Sequence, residues 1–196
     1  MDLTDPTTVA LAASQAFEQI GNAAAVYGGL ALAAFGEPRE TKDADFVVAS
    51  LPLDRLIRSL DSLGLSPEVS FERVGFGGNL ITRVALLGGP TAAGLNVLDL
   101  VEPRYPQFAA DVLSRAMVGT LRGQTVRLVS PEDFVLVKVL STREIDLNDA
   151  ASVLRCLRDR LDIDAIRRTA QALAREIPDH DVAERLDRVF EIVGSR

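Results

Sequence analysis

Only one cysteine and one histidine occur among the 196 residues, and tryptophan is absent. The lone Cys156 cannot close an internal disulfide, and no Cys/His cluster offers a zinc cage. Set among Leu and Val, it reads as a packing residue suited to a reducing compartment. His180, in Pro178-Asp179-His180-Asp181, reads as a solvated loop residue, and no Ser/His or Cys/His dyad suggests itself. Long apolar runs are missing too. The least polar stretch, residues 23–36, is rich in Ala and Gly and falls short of the ~20 residues a bilayer span needs. The acidic start, Met1-Asp2-Leu3-Thr4-Asp5, lacks the basic region of a secretory signal. A cytoplasmic location and no membrane partner are therefore expected.

Lysine is scarce as well. Lys42 and Lys138 are the only two, so 19 of the 21 basic residues are Arg. The net charge of −7 argues against a generic nucleic-acid coat protein. Arg forks suit phosphate and carboxylate alike, so composition leaves the partner open. What is present is ordinary for a globular chain: 47% hydrophobic and 25% charged residues exclude wholesale disorder. A chain this long also buries enough surface to fold without a disulfide or structural metal.

Along the chain, apolar residues at helical spacing over 7–20 follow a Thr/Asp-Pro start and stop at Gly21. A short apolar run, 24–27, leads into Gly28-Gly29 and a small helix over 30–35. Residues 43–49 predict a strand with Phe46 and Val48 on one face and Asp43, Asp45 and Val47 on the other. A helix opened by Pro52 ends at Gly64. Strand signals follow at 69–74, 80–87 and 95–101, separated by turns at 75–79 and 88–94. A helix over 106–116 and a hairpin over 119–129 turning at Gly123 come next. From Ser130-Pro131-Glu132-Asp133 onward the pattern is helical, with Ser130 as N-cap, Pro131 at N1 and Asp133 at N3. The expected class is α+β: a small mixed or antiparallel sheet flanked by helices over 1–129, with a helical bundle over 130–196 packed on it.

The chemistry concentrates in Tyr27-Gly28-Gly29-Leu30 through Arg39-Glu40-Thr41-Lys42-Asp43-Ala44-Asp45. A Gly pair between strand and helix lets a ligand approach the backbone and leaves the helix's first N–H groups free for an anion; a plain tight turn is the alternative. Asp43 and Asp45, at i and i+2 of a strand, point the same way. Their charges repel unless a cation sits between them, and hard divalent ions such as Mg²⁺ are bound in this manner with substrate phosphates. The alternative places Asp43 at a strand start and Asp45 on a solvated face. Asp99 interrupts the apolar Leu95–Val101 stretch, where an unpaired charge costs several kcal/mol. The same cation, or an ion pair with Arg83 or Arg73, would satisfy it. Lys138, embedded in Phe134–Leu140, needs a partner of its own, which a triphosphate would supply; snorkelling at a helix edge is the alternative. Arg39 and Arg143 are candidates for phosphate contacts or surface ion pairs. Asp146 and Asp149, at i and i+3, would share a helix face, or else serve as a solvated cap.

Gly-Gly-x-Ala, then Gly-x-Pro-Arg-x-Thr-Lys-Asp-x-Asp, then a later strand Asp, resembles the nucleotidyltransferase (DNA polymerase β-like) superfamily. More narrowly, the chain is similar to the small AbiEii and MenT-type nucleotidyltransferase toxins of bacterial toxin–antitoxin systems. The likeness continues through Ser130–Lys138, Arg143, Asp146 and Asp149 and spans about residues 22–155. It implies a pyrophosphate-releasing transfer of NMP from an NTP, often a pyrimidine nucleotide, to the 3′ end of tRNA, and a cognate antitoxin that suppresses it. It implies catalysis by two Mg²⁺ or Mn²⁺ ions about 3.5–4 Å apart, with Asp43 and Asp45 holding both and Asp99 one. Gly28, Gly29, Arg39 and Lys138 would neutralise the triphosphate, and Asp146 or Asp149 would act near the nucleotide or Lys138. The family often has a hydroxyl residue where this chain has Leu30, so backbone N–H groups or Thr41 must replace that contact. Related antitoxin kinases phosphorylate a hydroxyl at the nucleotide site, a role that would fall to Thr41 here. Transfer to an aminoglycoside or a protein hydroxyl, and a non-catalytic binding module, remain as other readings.

Overall fold

The computed structural model describes residues 1–88 and 93–194. The centre of the expected 88–94 loop, residues 89–92, therefore lies outside the described residues. Helix α1 (Pro6–Gln19) starts at Asp5, whose carboxylate accepts from the Thr7 and Thr8 amides at 3.3 and 2.9 Å, with Pro6 in the first turn. Strand β1 (Ala24–Tyr27) runs into α2 (Gly28–Phe35), followed by β2 (Ala44–Val48) and α3 (Leu53–Ser62). Then come β3 (Leu65–Phe76), β4 (Asn79–Gly88), β5 (Leu95–Pro103), α4 (Pro106–Ser114), β6 (Met117–Leu121) and β7 (Gln124–Leu128). Four helices complete the described chain: α5 (Pro131–Val139), α6 (Glu144–Leu157), α7 (Ile163–Glu176) and α8 (Val182–Gly194), with a 3-10 turn at Arg158–Arg160.

The seven strands form one mixed sheet in the order β3-β4-β5-β2-β1-β7-β6. The β2–β5 and β1–β7 pairs are parallel and the other four pairs antiparallel. Because side chains alternate between faces, β2 splits its residues as expected. Phe46 packs on Phe17 of α1, with ring centroids 5.5 Å apart. On the opposite face Tyr27 stacks on Phe134 of α5 at 5.2 Å, and Phe35 of α2 meets the same ring edge-on. Helices α1 and α3 thus line one face, and α2 and α5 the Asp45 face. Helix α5 is buried from Asp133 to Val139, capped by Ser130, whose hydroxyl accepts from the Asp133 amide.

The mixed α/β architecture agrees with the sequence pattern, while several boundaries and the burial of one residue differ. Strand β3 extends to Leu65 and Phe76 because it pairs with β4 along nearly its whole length, Phe76 opposite Asn79, leaving only Gly77-Gly78 for the turn. Helix α4 stops at Ser114, two residues early, where the chain turns into β6. Cys156 is exposed rather than packed, since it lies on the outer side of α6.

Candidate active site

Sheet register brings the acidic residues together. Tyr27 of β1 lies opposite Asp45 of β2, Asp45 opposite Asp99 of β5, Asp99 opposite Arg83 of β4, and Arg83 opposite Phe71 of β3. Directly opposed residues present their side chains on the same face, so these five form one row across five strands. Asp43, two residues before Asp45 at the mouth of β2, completes a set of three carboxylates. One oxygen of each lies within 4.8 Å of the others. Among the described residues Asp43 and Asp45 form no salt bridge, and Arg83 clamps Asp99 from the side, with Nε and Nη2 donating at 2.8 and 2.7 Å. The ion-pair reading of Asp99 holds with Arg83, and that pairing leaves Asp99 within the acid cluster. Arg73 pairs instead with Glu102.

Electrostatics register the crowding. Burial, then repulsion from Asp43, lifts the Asp45 carboxyl from its ordinary 3.8 to about 7, with Lys138 pulling the other way. Asp45 keeps partial exposure along the cleft even so. Three carboxylates converging, two of them without a salt bridge among the described residues, make a donor set suited to a hard divalent cation, so the residues present fit the expected metal.

Gly28 and Gly29 explain themselves next to these acids. Gly28 has φ +61°, and a Cβ built there would lie 1.9 Å from Asp45 Oδ2. A Cβ on Gly29 would lie 2.5 Å from Thr41 Cβ. The pair thus lets the start of α2 press against both Asp45 and Thr41. Thr41 in turn donates to Asp43 Oδ1 at 3.2 Å.

Behind this layer sits a second, fully paired charge cluster. Lys138 is 1% exposed, and its ammonium lies 2.6 Å from Asp146 Oδ1 and 2.9 Å from Asp149 Oδ2, above the rings of Tyr27 and Phe134. The expectation that Lys138 reaches a triphosphate is corrected here, because its charge is spent on two buried aspartates. Asp146 and Asp149 are correspondingly no solvated cap. Burial acts to raise the Asp146 pKa, but Lys138 and hydrogen bonds from Arg143, Lys138 and Ser141 outweigh it and hold the group at about 2. Arg143 grips Asp146 through Nε and Nη2, and Arg39 grips Asp149 through the same two nitrogens, both at 2.9 Å. Each guanidinium keeps part of its surface outside. The side-chain hydrogen bonds raise both Arg pKa values, so both stay charged.

A cleft of about 230 Å³ joins these parts; its lining includes Asp45, Asp99, Asp146, Arg83, Arg143 and the aromatic rings of Tyr27, Phe71 and Phe76. Sequence reasoning passed over Tyr27, Phe71 and Phe76, and only strand register could have shown that Tyr27 and Phe71 share the acids' row, with Phe76 further along β3 opposite Asn79. His180 is half-buried, its Nε2 3.1 Å from the Val139 carbonyl, which corrects the solvated-loop reading. It packs against Gly77 and so ties the α7–α8 loop to the β3–β4 turn.

The fold has solved counterparts. A Helicobacter pylori protein assigned as a nucleotidyltransferase aligns over 95% of this chain and 91% of its own, with TM-score 0.52 and 13% identity. The antibiotic-resistance factor ANT(2″)-Ia, solved in complex with adenylyl-2″-tobramycin, aligns over 87% of this chain and 97% of its own, with TM-score 0.52 and 14% identity. Identities this low speak for the fold alone. No curated protein matches the sequence. The family described as "Nucleotidyltransferase of unknown function (DUF6036)" matches residues 12–193, nearly the whole chain, and the protein therefore belongs to that family of nucleotidyltransferases.

Proposed function

We propose that the protein moves a nucleoside monophosphate from an NTP, a pyrimidine nucleotide by the resemblance above, to the 3′ end of tRNA. A cognate antitoxin would restrain it. The observation that carries a transferase site is the meeting of Asp43, Asp45 and Asp99 within 4.8 Å beside the Gly28-Gly29 helix start. In this reading Asp43 and Asp45 hold two divalent ions, Mg²⁺ or Mn²⁺, and Asp99 holds one of them. When bound, such ions lower the pKa of the acceptor hydroxyl and neutralise the triphosphate.

The residues of the chain do the rest. Backbone N–H groups at the start of α2 and the outer faces of Arg39 and Arg143 face the phosphates. Lys138 acts as a positioning residue: it neutralises Asp146 and Asp149, which in turn aim Arg143 and Arg39. The acceptor oxygen bonds the α-phosphorus as the bond to the bridging oxygen breaks and pyrophosphate leaves. The hydroxyl proton passes to a carboxylate oxygen of Asp99, which keeps acceptor capacity beside the Arg83 fork. The helical segment 130–196 would serve the core 1–129 by carrying this positioning cluster. Thr41, bonded to Asp43, is the hydroxyl whose phosphorylation would shut the site by repelling the incoming triphosphate. Full transfer activity in Thr41→Glu would sink that regulatory role.

Incubation with each labelled NTP and separate pools of tRNA, tobramycin and protein tests the assignment. Label on tRNA, lost in Asp45→Ala, is expected. Label on tobramycin or protein instead would replace the acceptor, and no NTP consumption with any pool would favour a non-catalytic binding module.

A further inference from the structure

The row that carries the acids continues past Asp99 and Arg83 to Phe71, and this end of the cleft has no part in the reading so far. Phe71 and Phe76 stand on β3, ring centroids 6.4 Å apart and tilted by 40°, and both line the cleft with Ile81 and Val101. Phe76 is 38% exposed, a large aromatic left uncovered at an open cleft. Arg83 lies 5.5 Å from the Phe71 ring centre while its fork holds Asp99, so one guanidinium links ring and acid.

The backbone around Phe71 is specially shaped. The β3–β4 register breaks twice, between Val69 and Phe71 and between Phe71 and Val74. Arg73, inside the second break, has φ +49°, a conformation costly for a residue with a side chain. Bulges of this kind re-aim side chains beside active sites. The turn below Phe76 is fixed on both sides, with the Gly78 amide donating to Leu140 O of the helical half at 2.8 Å and the Arg104 amide, just after β5, donating to Gly78 O at 2.8 Å. The two rings thus sit on a braced edge.

We infer that Phe71 and Phe76 form a stacking platform for the base of the terminal nucleotide whose ribose hydroxyl attacks, in a nucleic-acid acceptor. Asp99, the acid of the cluster nearest the platform in the sheet row, places that hydroxyl on the acceptor side, opposite the Gly28-Gly29 end that would take the NTP. Two aromatic faces and the guanidinium of Arg83 favour a flat base followed by anionic backbone. A polycationic amino sugar would meet Arg83 and Arg143 rather than free carboxylates on this wall. Asn79 fits the same occupant. Its Nδ2 donates to Val137 O at 3.2 Å, while its buried Oδ1 has no partner and the residue lines the cleft. That oxygen would accept an N–H of the base. The inference rests on the transferase reading but is tested separately from it.

Because the chain has no tryptophan, Phe71→Trp introduces a single fluorophore at the platform. A short single-stranded oligoribonucleotide, titrated without NTP or metal, is expected to quench it, whereas the same strand with an abasic 3′ nucleotide is not. In transfer assays, Phe71→Ala and Phe76→Leu are expected to raise the acceptor KM about tenfold while leaving the NTP KM in place. Equal quenching by the abasic strand or by tobramycin, or an unchanged acceptor KM in both variants, overturns the platform. If the wild-type protein consumes no NTP, the transferase reading fails by itself, and the quenching experiment still decides whether a base binds.

Discussion

Two acid clusters lie on either side of Tyr27, and they are built on opposite principles. Asp146 and Asp149 meet Lys138, Arg143 and Arg39, so the buried carboxylates are outnumbered by cations. Asp43, Asp45 and Asp99 meet each other, and among the described residues Arg83 is the cation paired with this set, at Asp99 from the side. The first cluster spends its charges on one another and fixes the geometry of α5 and α6. The second leaves Asp43 and Asp45 without a salt bridge among the described residues, at the cost of lifting Asp45 to about 7. Folding alone rewards the first arrangement and penalises the second. An uncompensated cluster facing a cleft therefore marks the place where a ligand supplies the missing positive charge.

The contrast can be broken most forcefully at Asp45. Asp45→Ala is expected to lower transfer at least about 10³-fold, because each several kcal/mol of lost charge stabilisation multiplies through the rate. Its melting temperature at pH 8 should equal or exceed that of the parent, since an ionised, crowded carboxylate has been removed. A fall in both activity and stability would erase the distinction between the clusters. Lys138→Met should behave in the opposite way. Removing the cation leaves two buried aspartates and is expected to cost about 3–5 kcal/mol, read as a lower urea midpoint. Changing Lys138, Asp146 and Asp149 together to apolar residues should restore much of that stability while leaving the NTP KM elevated, since Arg39 and Arg143 lose their anchors.

Acidity sharpens the same contrast. Asp45, with its folded pKa raised, favours the folded state below about 4 and withdraws that contribution as pH rises through about 7. It must lose its proton to bind a cation, so Mn²⁺ affinity measured by calorimetry should fall up to about tenfold per unit below pH 7. Asp146, held at about 2, contributes stability above its ordinary 3.8 and loses it only as pH falls towards 2. Acid unfolding followed by circular dichroism should therefore shift to higher pH in Asp146→Asn, while metal binding at pH 8 stays near the parental value. The smallest expected effect is at Gly28. Gly28→Ala forces a side chain into φ +61° against Asp45, and a loss of about 1–3 kcal/mol should accompany weaker metal binding. An unchanged Mn²⁺ affinity would show that this contact does not set the carboxylate geometry.

Much of the local structure was legible because it depends on neighbours in sequence. Asp5-Pro6 and Ser130-Pro131 announce helix starts, and the Asp43–Val48 alternation assigns faces. The two-residue spacing of Asp43 and Asp45 pointed to one side for the same reason. Lys138 was misread because its partners lie eight and eleven residues on, across a helix junction, and a buried cation says only that some anion is needed. Cys156 was misread because apolar neighbours in a helix occupy other faces. The tie from His180 to Val139 crosses 41 residues and leaves no trace in local composition.

Composition and spacing by themselves determined a mixed α/β chain with a glycine pair ahead of two converging aspartates, because short-range sterics and side-chain periodicity act within a few residues. Only the tertiary structure decided which acids stay unpaired. That choice depends on strand order and register, which set Arg83 beside Asp99, Tyr27 beside Asp45, and the ammonium of Lys138 over the ring of Tyr27. Register follows from burying whole faces at once, a requirement that no single segment of the chain expresses.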